Sequence, residues 1–166
     1  MDDYTLARTI HILAIVAWIG GVAFVTTVLM PAIRRLNPPN ERLSTFHRFE
    51  AGFAWQARLW VGLAGLTGLW MIHRGDLWYR FGDLHYWWMH AMVAVWMIFA
   101  AMLYLIEPLF LHRRMEQTAS PEHAFARMER LHRILLLASF ITVAGAMAGA
   151  HGLGPVDKSL VEIPIR

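Results

Sequence analysis

Residues 6–30 read LARTIHILAIVAWIGGVAFVTTVLM. Arg8 is the one charged side chain in this run and His11 the one imidazole. At a helical rise of about 1.5 Å per residue, a stretch this long crosses the roughly 30 Å hydrocarbon core of a bilayer. Three further runs read the same way: Phe53–Ile72, Tyr86–Leu111 and Ile134–Leu153. The composition agrees, with 57% hydrophobic and 16% charged residues and a mean hydropathy of +0.42. Spanning strands would need alternating segments of about ten residues, which the sequence lacks. The expectation is an all-α integral membrane protein: a four-helix up-down bundle, a single transmembrane domain over residues 1–166 with short loops.

The arginines orient this bundle. Segments 31–52 and 112–133, together with Arg58, carry ten of the 15 basic residues, and Arg8, Arg74, Arg80, Lys158 and Arg166 are the other five. The positive-inside rule places the first group in the cytoplasm. The expected location is the bacterial cytoplasmic (inner) membrane, multi-pass, with both termini periplasmic. The acidic start Met1-Asp2-Asp3-Tyr4 lacks the basic region and cleavage site of a removable signal peptide, so the first run is read as a retained span. The pI of about 9.8 mostly reflects this topology, and no basic recognition element supports nucleic-acid binding. The absence of cysteine excludes disulfides, thiolate ligands and Cys-attached haem.

The connecting segments carry their own signals. Pro38-Pro39-Asn40 breaks the chain before Leu43, Phe46, Phe49 and Phe53, whose spacing predicts a short amphipathic interfacial helix. Ser120-Pro121-Glu122 combines an N-cap residue, a first-turn proline and an acid, so the fourth helix is expected to begin well before the membrane. Trp78, Tyr79, Tyr86, Trp87 and Trp88 read as an aromatic belt at the outer interface.

Five of the nine histidines, His11, His73, His85, His90 and His151, then fall at one depth. A neutral imidazole is a good ligand for haem iron, copper or zinc, and hydrocarbon penalises polar groups without a partner. His11 and His90 lie a turn or more inside their spans, on helices that are diagonal neighbours in an up-down bundle. They are the expected axial ligands of a haem b, with His151 as the first substitute. Arg8, one turn before His11, would hold a propionate, and Trp18 and Trp87 would pack near the ring. His73 and His85 read as interface residues. On the opposite side His47, His112, His123 and His132 read as solvated boundary residues. There Glu107, followed by Pro108, is an acid inside a span, with Arg58 as its expected partner in an ion pair or a proton or quinone site. The ten methionines raise copper as the alternative cofactor, with Met92, Met97 and Met147 below the histidine layer, although they form no cluster and also suit core filling.

The stretch TIHILAIVAWIGG at 9–21 resembles the opening helix of the CopD-like copper-resistance membrane proteins and of the related HemJ-type protoporphyrinogen oxidases. The third span, WWMHAM at 87–92, is similar to the HemJ-type Trp-x-His-x-Lys stretch. The resemblance covers the layout of nearly the whole chain and aligns His11 and His90 with positions associated with b-type haem. It implies a haem-bearing membrane oxidoreductase, or, on the CopD side, copper uptake or tolerance. One departure is specific: Met92 stands where the HemJ-type pattern has Lys, which argues against protoporphyrinogen oxidation.

The functional expectation is a b-type haem protein that passes electrons between a membrane quinone, or a periplasmic redox protein, and a partner. The alternatives are a copper permease and a cofactor-free structural subunit; a homo-oligomer is compatible with each.

Overall fold

The computed structural model describes residues 2–106 and 120–151, and every regular element among them is helical. Helix α1 covers Asp3–Phe24, passes through a π turn at Val25–Leu29 and continues as α2, Met30–Leu36. Asp2 caps it, its carboxylate accepting from the Tyr4 N–H at 3.3 Å. In the π turn the Thr26 and Thr27 hydroxyls donate to the carbonyls of Val22 and Ala23, each at 2.7 Å. These hydroxyls compete with backbone N–H groups for the same carbonyls, which suits the wider winding. Extended backbone at Asn37 ends α2 ahead of Pro38.

Helix α3 is one rod of 33 residues, Arg42–Arg74. The interfacial helix expected before Phe53 and the second span are therefore continuous: a lone glycine such as Gly52 costs a helix only about 1 kcal/mol, too little to break it. Past α3, Asp76 takes a left-handed φ of 49°, which short polar side chains tolerate. Two 3₁₀ turns, Leu77–Gly82 and Leu84–Tyr86, lead into α4, Trp87–Ala100, which ends in a second π turn at Ala101–Ile106. Helix α5 is Pro121–Ala150, with Pro121 and Glu122 in its first turn as the sequence predicts, although the Ser120 side chain makes no capping bond.

Three stretches are long and apolar enough to cross a membrane: Asp3–Leu36, Leu84–Ile106 and Pro121–Ala150. Helix α3 has the length, but Gln56, Arg58, Thr67 and its glycines dilute its apolar character. Large apolar side chains face outward on all the long helices, among them Leu13, Val16, Leu66, Leu137 and Phe140. A water-soluble domain rarely exposes such a surface, whereas lipid solvates it.

Helix α1 lies chiefly along α3, and α4 chiefly along α5. Asp3 and Arg74 pair at 3.1 Å where the start of α1 meets the end of α3, so these two helices run in opposite directions. The interior holds Ala14, Trp18, Val61, Ala64, Phe99, Leu135 and Leu136, with Trp18 set edge-on to Phe99 at 5.0 Å. Glycines bring α3, α4 and α5 close. A Cβ at Gly65 would come within 2.4 Å of the Trp96 ring, one at Gly145 within 2.4 Å of Trp87, and one at Gly149 within 2.5 Å of Trp88. These small residues let bulky indoles lie against a neighbouring backbone. A second cluster, Val25, Met30, Ile33, Phe46 and Phe125, joins the π turn, α2 and the first turns of α3 and α5.

Candidate functional site

His11 sits on the inner stripe of α1 with Ala7, Ala14 and Trp18. Its Nδ1 lies 2.9 Å from the Ala64 carbonyl and 3.1 Å from Thr67 Oγ1. A carbonyl only accepts, so in the neutral ring Nδ1 carries the proton and Nε2 keeps its lone pair. Thr67 sends its own hydroxyl proton to the Leu63 carbonyl at 2.5 Å, which leaves its oxygen free to accept from His11 as well. Gly68 completes the seat, since a Cβ there would meet the His11 ring at 3.1 Å. An imidazole oriented through one nitrogen, with the other left as a donor of electrons, is the usual form of a metal-ligating histidine. His11 could therefore act as a ligand through Nε2.

His90 is placed differently. Its Nε2 is 3.1 Å from the Phe81 carbonyl, and its Nδ1 is 3.3 Å from the Tyr86 carbonyl, which helix geometry also assigns to the His90 backbone N–H. A neutral ring donates through one nitrogen only, and the shorter contact makes that Nε2. Ligation through Nε2 requires the ring to leave Phe81. His151, at the end of α5, donates Nδ1–H to the Met147 carbonyl at 2.8 Å and is exposed. Arg8 is exposed, with no hydrogen bond or ion pair among the described residues, so its guanidinium is available to an anionic group. Trp87 lies over Gly145 of α5, and Trp18 lies two turns, about 10 Å, along α1 from His11. His73 and His85 are exposed, as interface residues are, while Trp88 of the expected belt is buried against Gly149.

Towards the arginine-rich end the helices line a partly open cavity of about 140 Å³. Trp18, Glu50, Gln56 and His132 line it, among apolar and aromatic neighbours. Trp18 is only 7% exposed, and its Nε1–H has no hydrogen-bond partner among the described residues. Leaving such a donor unbonded costs about 1–3 kcal/mol. Glu50 accepts from or pairs with His47 Nδ1 at 3.1 Å. His132 donates Nδ1–H to the Met128 carbonyl at 3.0 Å, and its ring meets Phe46 edge-on. His47 and His132 are thus partly buried, where the sequence reading had them as solvated boundary residues. The sign that could have placed Glu50 inward is its register, one turn from Phe46 and one from Phe53 on the apolar stripe of α3.

The same end holds a buried acid that hydropathy did not single out. Glu129 is 5% exposed and takes ion pairs from Arg34 at 3.4 Å and from Arg133 one turn along α5. Arg58 donates Nε–H to the Leu103 carbonyl at 3.0 Å, within the second π turn. Its expected partner Glu107, and His112, lie outside the described residues. Among the described residues no three histidine or acid side chains gather as a metal site, and the Met97 and Met147 side chains face outward. No family model, curated protein or solved structure matches this chain.

Proposed function

We propose that the chain is a four-span haem b protein of the bacterial cytoplasmic membrane that transfers electrons, with α3 as the fourth crossing of an up-down bundle and both termini periplasmic. The observation that carries this reading is His11, held through Nδ1 by Ala64 and Thr67 and seated on Gly68, with no hydrogen bond at Nε2 among the described residues. Haem supplies one-electron chemistry when bound; the chain's task is to hold it, shield it from water and set its potential. His11 would be one of the residues that hold it. His90 would be the second once its ring turns from Phe81, with His151 the substitute, and Arg8 would neutralise a propionate. Met92 stands where a porphyrinogen oxidase of the HemJ type would carry an ionisable lysine, so the reading is electron transfer and not porphyrinogen oxidation.

The test is the absorption spectrum of detergent-purified protein. A Soret band and about one haem b per chain by pyridine haemochrome are expected, with haem lost or high-spin in His11→Ala and unchanged in His123→Ala. Colourless protein from haem-replete cells, or a wild-type low-spin spectrum in His11→Ala, overturns the proposal. Copper bound stoichiometrically to colourless protein would favour the permease reading instead.

A further inference from the structure

Two arginines from different helices meet on one buried acid. Glu129 of α5 receives Arg34 of α2 on one carboxylate oxygen, at 3.4 Å, and Arg133 of α5 on the other. The acid holds both guanidinium groups in place, while more than half of each arginine side chain stays exposed. A guanidinium has five N–H donors, so contact with one carboxylate leaves donors over for a second anion. Together the three side chains carry one net positive charge, arranged before any ligand arrives.

Immediately beyond these arginines both helices turn apolar. Residues 9–33 and 134–150 contain no Asp, Glu, Lys or Arg, so Arg34 and Arg133 are the charges that border each run. Arginines in that position stand at headgroup depth. From Arg133 an open groove of about 400 Å³ runs between α5 and the π turn at Val25–Leu29. Leu136, Leu137 and Phe140 line one side, three, four and seven residues from Arg133, and so reach about 10 Å towards the membrane interior. Thr26 and Thr27 line the other; their hydroxyl protons go to the Val22 and Ala23 carbonyls, so they offer no donor to an occupant. Leu137 and Phe140 are more than half exposed, which opens the groove to lipid.

The order of these features is that of an amphiphile, with an anion at the boundary and hydrocarbon directly inside it. A soluble anion would use the arginines and leave the groove idle. A partner helix would cover the leucines and has no inherent anion at this depth. We infer that an anionic phospholipid docks here, its phosphate on Arg34 and Arg133 and one acyl chain along Leu136, Leu137 and Phe140. Basic recesses between spans on the cytoplasmic side suit such headgroups, and the positive-inside rule puts this end there. The inference needs the chain to lie in a membrane and makes no use of haem.

The experiment is native mass spectrometry of the detergent-purified protein with dioleoylphosphatidylglycerol. Dioleoylphosphatidylcholine is the control, with equal chains and no net charge. One phosphatidylglycerol per chain is expected, bound about fivefold more tightly than phosphatidylcholine, the effect of about one net positive charge at an anionic headgroup. Removing the arginines alone would strand Glu129, so the charge variant is Arg34→Gln/Glu129→Gln/Arg133→Gln. It should bind the two lipids within twofold of each other. Arg48→Gln, which removes the same net charge on α3 and outside the groove, should keep the preference. Leu137→Trp, which fills the groove from an exposed position, should weaken phosphatidylglycerol at least fivefold with the melting temperature within a few degrees of wild type. Glycerol phosphate, a headgroup without chains, should not displace the lipid at about a hundredfold excess. Equal binding of the two lipids by wild type overturns the inference, as does a preference kept in the triple variant or lost in Arg48→Gln. So does full affinity in Leu137→Trp. Displacement by glycerol phosphate would mark a plain anion site, and a lipid-free dimer dispersed by Leu137→Trp would give the groove to a second copy of the chain; either result overturns the inference.

Discussion

Gly65 on α3 lies beneath the Trp96 indole of α4, and replacing it with alanine tests how firmly that pair of helices is fitted. A Cβ at this position would stand 2.4 Å from Trp96 Cζ2, well inside van der Waals contact. The ring cannot simply swing away, because its Nε1–H donates to the Val61 carbonyl at 2.9 Å. Two costs therefore combine: overpacking of about 1–3 kcal/mol and a strained or lost hydrogen bond of about 0.5–1.5 kcal/mol. Alanine regains about 1 kcal/mol through its better helix propensity, which leaves a net loss of roughly 0.5–3.5 kcal/mol. Gly52→Ala is the internal control, since a Cβ there meets nothing within 4 Å and only the propensity gain applies. Thermal unfolding in detergent, followed by tryptophan fluorescence, should place Gly65→Ala below wild type and Gly52→Ala at or above it. Adding Trp96→Leu to Gly65→Ala should remove the steric part, so the double variant should be more stable than the sum of the single effects implies. If Gly65→Ala melts at or above Gly52→Ala, the close approach of α3 and α4 at this level is wrong.

Two further outcomes follow from charge placement. Glu129 is buried while Arg34 and Arg133 are more than half exposed, so the double change Arg34→Ala/Arg133→Ala should destabilise more than Glu129→Ala; the former strands a buried carboxylate, whereas the latter leaves arginines that reach water. Unfolding midpoints in detergent give the order, and the reverse order would mean that Glu129 is solvated. For topology, an alkaline phosphatase fusion after Arg166 should be active and one after Arg35 inactive, as the ten-to-five distribution of the 15 basic residues requires; the opposite pattern would turn the histidine layer to the cytoplasm.

The apolar runs were legible because lipid solvation demands little beyond length and a lack of charge, and three of the four long helices carry that signal. Helix α3 was partly legible. Leu43, Phe46, Phe49 and Phe53 announced a helix after the Pro38-Pro39 break, but nothing local showed that it runs on into the second span without interruption; its first turns are held by the packing of Phe46 with Phe125 and Met30. His11 was legible as a polar residue inside an apolar run, while its partners Ala64 and Thr67 lie on another helix and carry no local signal. Trp18 was read as a haem neighbour from its place on the His11 face; its unbonded indole N–H is visible only once the helices are assembled. The Glu129–Arg34 pair was likewise hidden, because it joins α2 to α5 across most of the chain, and hydropathy is blind to such pairings.

The π turn at Val25–Leu29 has a consequence for how the chain is phased. In an unbroken α-helix, twelve steps of about 100° would put Met30 some 120° round from Trp18, turned towards lipid. Met30 is instead 0% exposed, inside the cluster with Phe46 and Phe125. The wider turn takes up the excess rotation, so one length of helix serves two interiors that are out of step with each other. Val22, just before this change of pitch, and Val25, its first residue, also line the cavity beside Trp18. Winding and cavity shape are therefore a single mechanical variable at this level: tightening Val25–Leu29 into regular helix would rotate Met30 out of its contacts and reshape the wall facing Trp18 in one movement.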